Sequence, residues 1–337
     1  MLFVIHPAID ADRLKALRSQ APEARWVNAR GIDEVMAAVV QADAFLGKIR
    51  PEMLARATQL RWVQAFTASL EHYMFPELIA HDCVLTNTRG LFSDVIADQV
   101  MGYILCFARN IHHYIRQQTV RRYEPLGGEA GRVDFAAGPG TVNAMDRATL
   151  FLPDATLGIV GYGAIGVEVA RRARAFGMTV RAVDRHPERV GAEAQVALAT
   201  FAGLAGLDEL LDASDFVVIA APHTPETVGL FDAKLLAKMK PSARLINIGR
   251  GAIVVLDDLV ESLREGRLAG AALDVFEVEP LPREHALWGF LNVILTPHTA
   301  GYSTVIARRH LALLIENVRR FTCGEVLRNH VDKALWF

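Results

Sequence analysis

Cysteine is scarce: Cys83, Cys106 and Cys323 are the three in 337 residues, an odd number at wide spacing. That excludes a disulfide framework and a close-spaced zinc site, and it fits a reducing compartment, so a cytoplasmic protein without a bound metal is expected. Long apolar runs are also lacking. The stretch 2–5 is too short for the core of a signal peptide and 100–108 is too short to cross a bilayer, so no membrane partner is expected. Neither sign of charge is in surplus. Lys and Arg number 36 against 38 for Asp and Glu, a net charge of −2. Nothing there attracts nucleic acid or an anionic surface, which leaves a small molecule as the expected partner. Internal repeats and low-complexity tracts are absent as well.

Apolar residues, by contrast, are plentiful. At 52% hydrophobic and 22% charged the chain has the balance of a globular protein. A chain of this length ordinarily divides into two domains. Up to about residue 90, short apolar stretches at 2–5, 44–47, 62–66 and 84–86 alternate with helix-length segments including 10–18 and 51–58, a β/α alternation. A long helix is expected from Ser93, with Asp94 in its first turn and apolar residues at helical spacing through Ile115. The segment 119–155 reads instead as an irregular arm, rich in glycine and carrying Pro125, Pro139 and Pro153. From Thr156 the alternation resumes, with strands expected at 157–160, 179–183, 216–220, 244–248, 270–274 and 292–295 and a last helix over 304–321. Runs such as 216–220 (Phe-Val-Val-Ile-Ala) are apolar on both faces, as a parallel sheet covered by helices on each side requires.

The most specific local signal is Gly161-Tyr162-Gly163-Ala164-Ile165-Gly166, which follows the strand 157–160 and opens the helix 164–176. Glycine permits the tight turn and the approach of backbone to a pyrophosphate, while free N–H groups at the helix start favour the anion. Asp184 ends the next strand, where an acidic side chain can accept hydrogen bonds from ribose hydroxyls and repel an extra 2′-phosphate. NAD is therefore the expected cofactor. The adjacent Arg185 could neutralise such a phosphate, which keeps NADP as the alternative.

A dinucleotide domain that starts near 156 leaves the first 90 residues to form the opposite wall of a substrate cleft. Hydride exchange with a nicotinamide at an alcohol or carbonyl carbon also needs a proton carrier, and an acid substrate would need a cation for its carboxylate. Three ends of expected strands offer them: Arg250 in the run 247–251, Glu279 in the run 274–280 and His298 in the run 296–301. An arginine fork suits a carboxylate, and a glutamate beside a histidine would stabilise the imidazolium. His223, after the strand 216–220, is the rival histidine, whereas His112 and His113 read as a partly solvated helix face.

These residues together resemble the D-isomer-specific 2-hydroxyacid dehydrogenase family over most of the chain outside 119–152. The run 157–166 looks like its cofactor turn, 222–227 like its nicotinamide-side loop, and the three runs around Arg250, Glu279 and His298 like its arginine, glutamate and histidine motifs. The resemblance implies two doubly wound α/β domains: a flavodoxin-like substrate domain at 1–98, completed by 302–337, and a Rossmann NAD-binding domain at 99–301. It implies catalysis by Arg250, Glu279 and His298. It implies a cofactor held by Gly161, Gly163, Ala164, Ile165, Gly166, Asp184, Ala221, Pro222, Ile248, Gly249, Asp274 and Ala300. The substrate carboxylate would meet backbone amides of Ala68, Ser69 and Leu70, together with Arg250 and His298. The activity implied is that of a D-2-hydroxyacid dehydrogenase of the glyoxylate/hydroxypyruvate reductase kind, a homodimer associating through the dinucleotide domain. Two positions depart from the family pattern: Ser69 stands where glycine is common and Asp98 where glutamate is usual. Glutamate at 279 argues against formate oxidation, whose branch carries glutamine there. A corepressor-like sensor of the NADH to NAD ratio, without turnover, is the alternative from another class.

Overall fold

A computed structural model describes residues 1–129, 140, 142–186, 200–202 and 204–336. The chain forms two units, Met1–Phe92 with Tyr302–Phe337, and Ser93–Gly301.

In the first unit, strands β1 (Leu2–His6), β2 (Arg25–Asn28), β3 (Ala44–Gly47), β4 (Trp62–Gln64) and β5 (Val84–Thr86) form a parallel sheet in the order β2-β1-β3-β4-β5. This is the doubly wound, flavodoxin-like order. The period-two alternation of β1 serves two cores at once. Phe3 and Ile5 join Leu46, Trp62, Leu314 and Val318 on one face, and Val4 joins Phe45, Val63 and Leu85 on the other. Leu314 and Val318 belong to the helix Thr304–Cys323, so the end of the chain closes the first sheet. The buried Asn317 of that helix ties the same face by donating to Gln64 Oε1 at 2.9 Å and accepting from the Arg328 amide at 2.8 Å. Sequence reading missed β2 because it is a partly exposed edge strand, Arg-Trp-Val-Asn, with no continuous apolar run.

The second unit holds seven parallel strands in the order β12-β11-β10-β9-β6-β7-β8: β6 (Thr156–Val160), β7 (Thr179–Val183), β8 (Thr200–Ala202), β9 (Phe216–Ile219), β10 (Arg244–Asn247), β11 (Gly270–Leu273) and β12 (Val293–Leu295). The order reverses at β6, which lies between β9 and β7, so the crevice beyond the carboxyl ends of β6 and β9 is where such a sheet binds ligands. Alternate residues of β9 feed opposite cores: Val217 and Ile219 pack with Leu245, Leu259 and Leu263, and Phe216 and Val218 pack with Ile104, Phe107 and Ile159. The short edge strand β8 was the other one missed.

Three expectations need correction. The division falls between Phe92 and Ser93 rather than at 98/99, because the helix Ser93–Ala108 enters the second core as one piece through Ala97, Val100, Tyr103, Ile104 and Phe107. Arg172 meets the departing residue Asp98 of that helix at 2.7 Å. The helix also stops at Ala108 instead of running through Ile115: Asn110 is left-handed at φ 57°, donates to the Ala148 carbonyl at 2.6 Å, and begins a second helix, Ile111–Thr119. A side-chain bond to a distant carbonyl thus replaces helix continuation, a competition asparagine is suited to. Finally, the helix expected over 51–58 is regular only across Pro51–Leu54. Of the arm at 119–155, the described part contains a helical turn, Ala144–Arg147, closed by a reciprocal capping box between Asn143 and Asp146. Residues 130–139 and 141 lie outside the described residues.

Candidate active site

The glycine turn follows β6 directly. Gly161 has φ +91°, and a Cβ there would lie 2.5 Å from the backbone nitrogen of Ala221, so only glycine lets this turn reach the loop after β9. Gly163 caps the helix Ala164–Ala175 without any side-chain cap, and no acidic residue occupies the first turn. A Cβ on Gly163 would meet no protein atom within 4 Å, so its missing side chain leaves open space in front of an uncapped helix start. That is a cradle for a phosphate group, and the residues fit a dinucleotide. Asp184 at the end of β7 accepts the Tyr162 amide at 2.6 Å and the His186 amide at 2.9 Å. Its carboxylate therefore braces the turn, and each oxygen keeps acceptor capacity for a ribose hydroxyl. The guanidinium of Arg185 forms an ion pair with Glu226 from the loop after β9.

The loops beyond β10, β11 and β12 converge. Asn247 closes the first by donating to the Arg250 carbonyl at 3.0 Å and accepting the Gly249 amide at 3.0 Å, while Arg250 Nη1 donates to the Gly249 carbonyl at 2.7 Å. A Cβ on Gly251 would lie 1.8 Å from the carbonyl carbon of Phe276, so the absence of a side chain lets the arginine loop press on the glutamate loop. Glu279 then bridges two groups: one oxygen accepts the Phe276 amide at 3.0 Å and the other faces His298 Nδ1 at 2.8 Å. Both side chains reach solvent, with 48% of His298 and 35% of Glu279 exposed, as groups that meet an incoming molecule must.

His298 sits at φ 54°, a left-handed conformation that residues with a Cβ hold only under constraint. The constraint is Asp274. Its carbonyl accepts the His298 amide at 2.9 Å, and its carboxylate, 2% exposed, accepts the amides of Thr299 and Ala300 at 2.9 Å each and the Thr296 hydroxyl at 2.5 Å. Asp274, expected from resemblance to touch the cofactor, has its carboxylate turned into the histidine loop. The buried Ala300 likewise spends its amide there. Ile248 is buried, Pro222 takes the Thr227 hydroxyl on its carbonyl at 2.7 Å, and the rival His223 is half-buried on the loop after β9. Sequence reasoning missed Thr296 and Tyr103, whose hydroxyls stand 2.5 Å apart. Tyr103 lies on an apolar helical stripe, where nothing local separates it from an ordinary core aromatic.

In the first unit, the turn 67–70 has its carbonyls engaged. Thr67 accepts the Thr88 amide at 3.2 Å, Ala68 accepts Asn87 Nδ2 at 2.8 Å, Ser69 accepts the Thr67 hydroxyl at 2.7 Å and Leu70 accepts the Tyr73 amide at 2.7 Å. These four bonds fix the turn through its carbonyls. The Ser69 hydroxyl points to Glu71 at 3.3 Å.

Comparison with known proteins agrees with this picture. Residues 101–300 match the model of the D-isomer-specific 2-hydroxyacid dehydrogenase NAD-binding domain. A glyoxylate reductase of Thermofilum pendens is 34% identical over 308 residues, covering 90% of this chain and 85% of the relative. Among solved structures, a D-isomer-specific 2-hydroxyacid dehydrogenase of Xanthobacter autotrophicus, in complex with NADPH and MES, superposes with a TM-score of 0.79 at 29% identity over 100% of this chain and 99% of that one. An NADPH-dependent glyoxylate/hydroxypyruvate reductase of Sinorhizobium meliloti, in complex with NADP and sulfate, gives 0.79 at 27% identity, with 100% and 99% covered. Among the described residues no helix is long and apolar enough to cross a membrane. The chain belongs to the D-isomer-specific 2-hydroxyacid dehydrogenase family and is a nicotinamide-dependent oxidoreductase that acts on the CH–OH group of 2-hydroxy acids.

Proposed function

We propose that this protein reduces glyoxylate or hydroxypyruvate to the corresponding 2-hydroxy acid, with Arg250, Glu279 and His298 as the catalytic set. The observation that carries the reading is the 2.8 Å contact between Glu279 and His298 Nδ1 on loops beyond adjacent strands, with the arginine loop pressed against the glutamate loop. With Nδ1 occupied by the carboxylate, Nε2 is the ring nitrogen that exchanges a proton with the substrate oxygen. In reduction His298 donates that proton to the carbonyl oxygen as it gains charge, and Glu279 stabilises the imidazolium beforehand. In oxidation the same nitrogen takes the hydroxyl proton. Arg250 brings a planar fork of donors to the substrate carboxylate. Bound nicotinamide supplies or accepts the hydride at the second carbon. Backbone amides of Ala68, Ser69 and Leu70 add donors for the carboxylate.

For the cofactor, Gly161, Gly163, Ala164, Ile165 and Gly166 hold the pyrophosphate and Asp184 the ribose, while Ala221, Pro222, Ile248 and Gly249 line the approach to the nicotinamide end. Asp274 and Ala300 act through the histidine loop. The Asp184 carboxylate and the Glu226 partner of Arg185 both disfavour a 2′-phosphate, which supports NAD ahead of NADP. The relatives that carry NADPH or NADP make the second cofactor the control. Homodimerisation is supported by exposed apolar side chains of the second unit: Ile115, Val120, Tyr123 and Phe151. The scarcity of cysteine supports the cytoplasm.

The test follows cofactor absorbance with glyoxylate, hydroxypyruvate and pyruvate, using NADH and NADPH in turn, beside light scattering for the dimer. Turnover of at least one of the first two with NADH is expected. A protein that binds NADH but turns over none of the three would be a sensor, and the reading would fall.

A further inference from the structure

The phenol of Tyr103 is 3% exposed and has no part in the chemistry above, yet it ends a directed chain of hydrogen bonds. An ionised carboxylate only accepts, so the Thr296 hydroxyl, 2.5 Å from Asp274 Oδ1, must donate to it. A hydroxyl has one proton. Thr296 therefore accepts from Tyr103 across the second 2.5 Å contact, and Tyr103 is the donor. Burial holds the phenol above its ordinary pKa, so it keeps its proton throughout the working range, and Gln99 bonds it from the same helix. At the other end of the chain, Asp274 grips His298, Thr299 and Ala300 by their amides, and His298 is held between them at φ 54°. Charge-assisted bonds in series reinforce one another in a site that excludes water.

We propose that Tyr103 is a positioning residue: through Thr296 and Asp274 it fixes the left-handed loop that presents the His298 imidazole. The inference rests on His298 being the proton carrier. The helix Ser93–Ala108 thereby anchors a loop whose own sequence, Thr-Pro-His-Thr-Ala, does not account for a histidine at positive φ. Without the phenol proton the Thr296 oxygen loses its donor, the hydroxyl can turn from the carboxylate, and the loop gains a second arrangement in which the ring is misplaced. Rate falls with the population of the competent arrangement, while the glycine turn that binds the cofactor is untouched.

Y103F removes one oxygen and keeps the ring in its core, T296V breaks the next link, and T296S restores the hydroxyl. With the 2-oxo acid that the parent turns over fastest, Y103F is expected to lower kcat about five- to tenfold, with KM and the dissociation constant for NADH within about twofold. T296V should lose at least as much, and T296S should recover most of it. In cofactor-free protein labelled at histidine, the His298 ring signal, identified by its loss in H298N, should be single in the parent and broadened or doubled in Y103F. A Y103F protein with parental kcat and one sharp ring signal would overturn the proposal. So would one whose KM and NADH affinity degrade along with kcat, the mark of general loosening. If H298A itself turns over normally, the fault lies in the proposed role of His298 and not in the network.

Discussion

The two units solve the same architectural problem with different chemistry. Each is a parallel sheet wrapped by helices and reversing once in strand order, yet the seven-stranded sheet gathers ionisable side chains beyond its strand ends and the five-stranded sheet gathers backbone. Beyond β10, β11 and β12 stand Arg250, Glu279 and His298, braced by Asn247, Phe276 and Asp274. Beyond β4, the turn 67–70 has every carbonyl committed to Thr88, Asn87, Thr67 or Tyr73. The difference teaches two ways to fix a loop beyond a strand end: in the second unit titratable side chains are held by neighbouring amides and side chains, whereas in the first the turn is held through its own carbonyls.

If that contrast is right, the largest effect should come from His298. H298A is expected to lower kcat by about two to four orders of magnitude with NADH binding intact, measured by steady-state kinetics and fluorescence titration. E279Q should follow, with a loss of about a hundredfold in kcat, because an amide cannot offset the charge of an imidazolium. G163V attacks the cofactor end: the added side chain meets no protein atom at its Cβ, so the fold should survive while NADH affinity falls by about a hundredfold or more in the same titration.

In the first unit the contrast predicts smaller and differently placed effects. S69G, which removes the hydroxyl facing Glu71 but keeps every amide, should alter KM for the 2-oxo acid by about two- to tenfold and leave kcat near the parental value. A kcat loss rivalling that of H298A would break the comparison. The smallest effect concerns stability and not turnover. Burial, opposed by a bond to the Cys106 carbonyl and joined by the nearby charges of His113, Arg116 and Arg244, pushes His112 down to about 4. The unfolded chain then takes up a proton near 6.5 that the folded chain refuses, so the stability linked to this residue is present above 6.5 and is lost as pH falls toward 4. H112Q should therefore lose less Tm than the parent between pH 7 and pH 5, read by thermal melts at both.

The alternation of short apolar runs with helical segments carried both sheets in the sequence, because strands buried on two faces must be continuously apolar. The edge strand β2 escaped because its residues, Arg-Trp-Val-Asn, are partly exposed and form no continuous apolar run, and the three-residue β8 escaped with it. The glycine turn was legible since its function demands one residue type at fixed spacing. Arg250, Glu279 and His298 were legible as candidates at the ends of three strands, but their meeting was not, since it depends on how β10, β11 and β12 align and on the missing side chain of Gly251.

The sequence by itself therefore determined the fold class, the phosphate cradle and the three chemical groups, all of which rest on local periodicity and residue type. Only the tertiary structure decided that the 93–115 helix breaks at Asn110, that Asp274 serves the histidine loop, and that Tyr103 stands behind Thr296. Each of these is a bond between residues tens to nearly two hundred positions apart. Such a bond costs nothing to specify locally, so it leaves no pattern to read until the chain has folded.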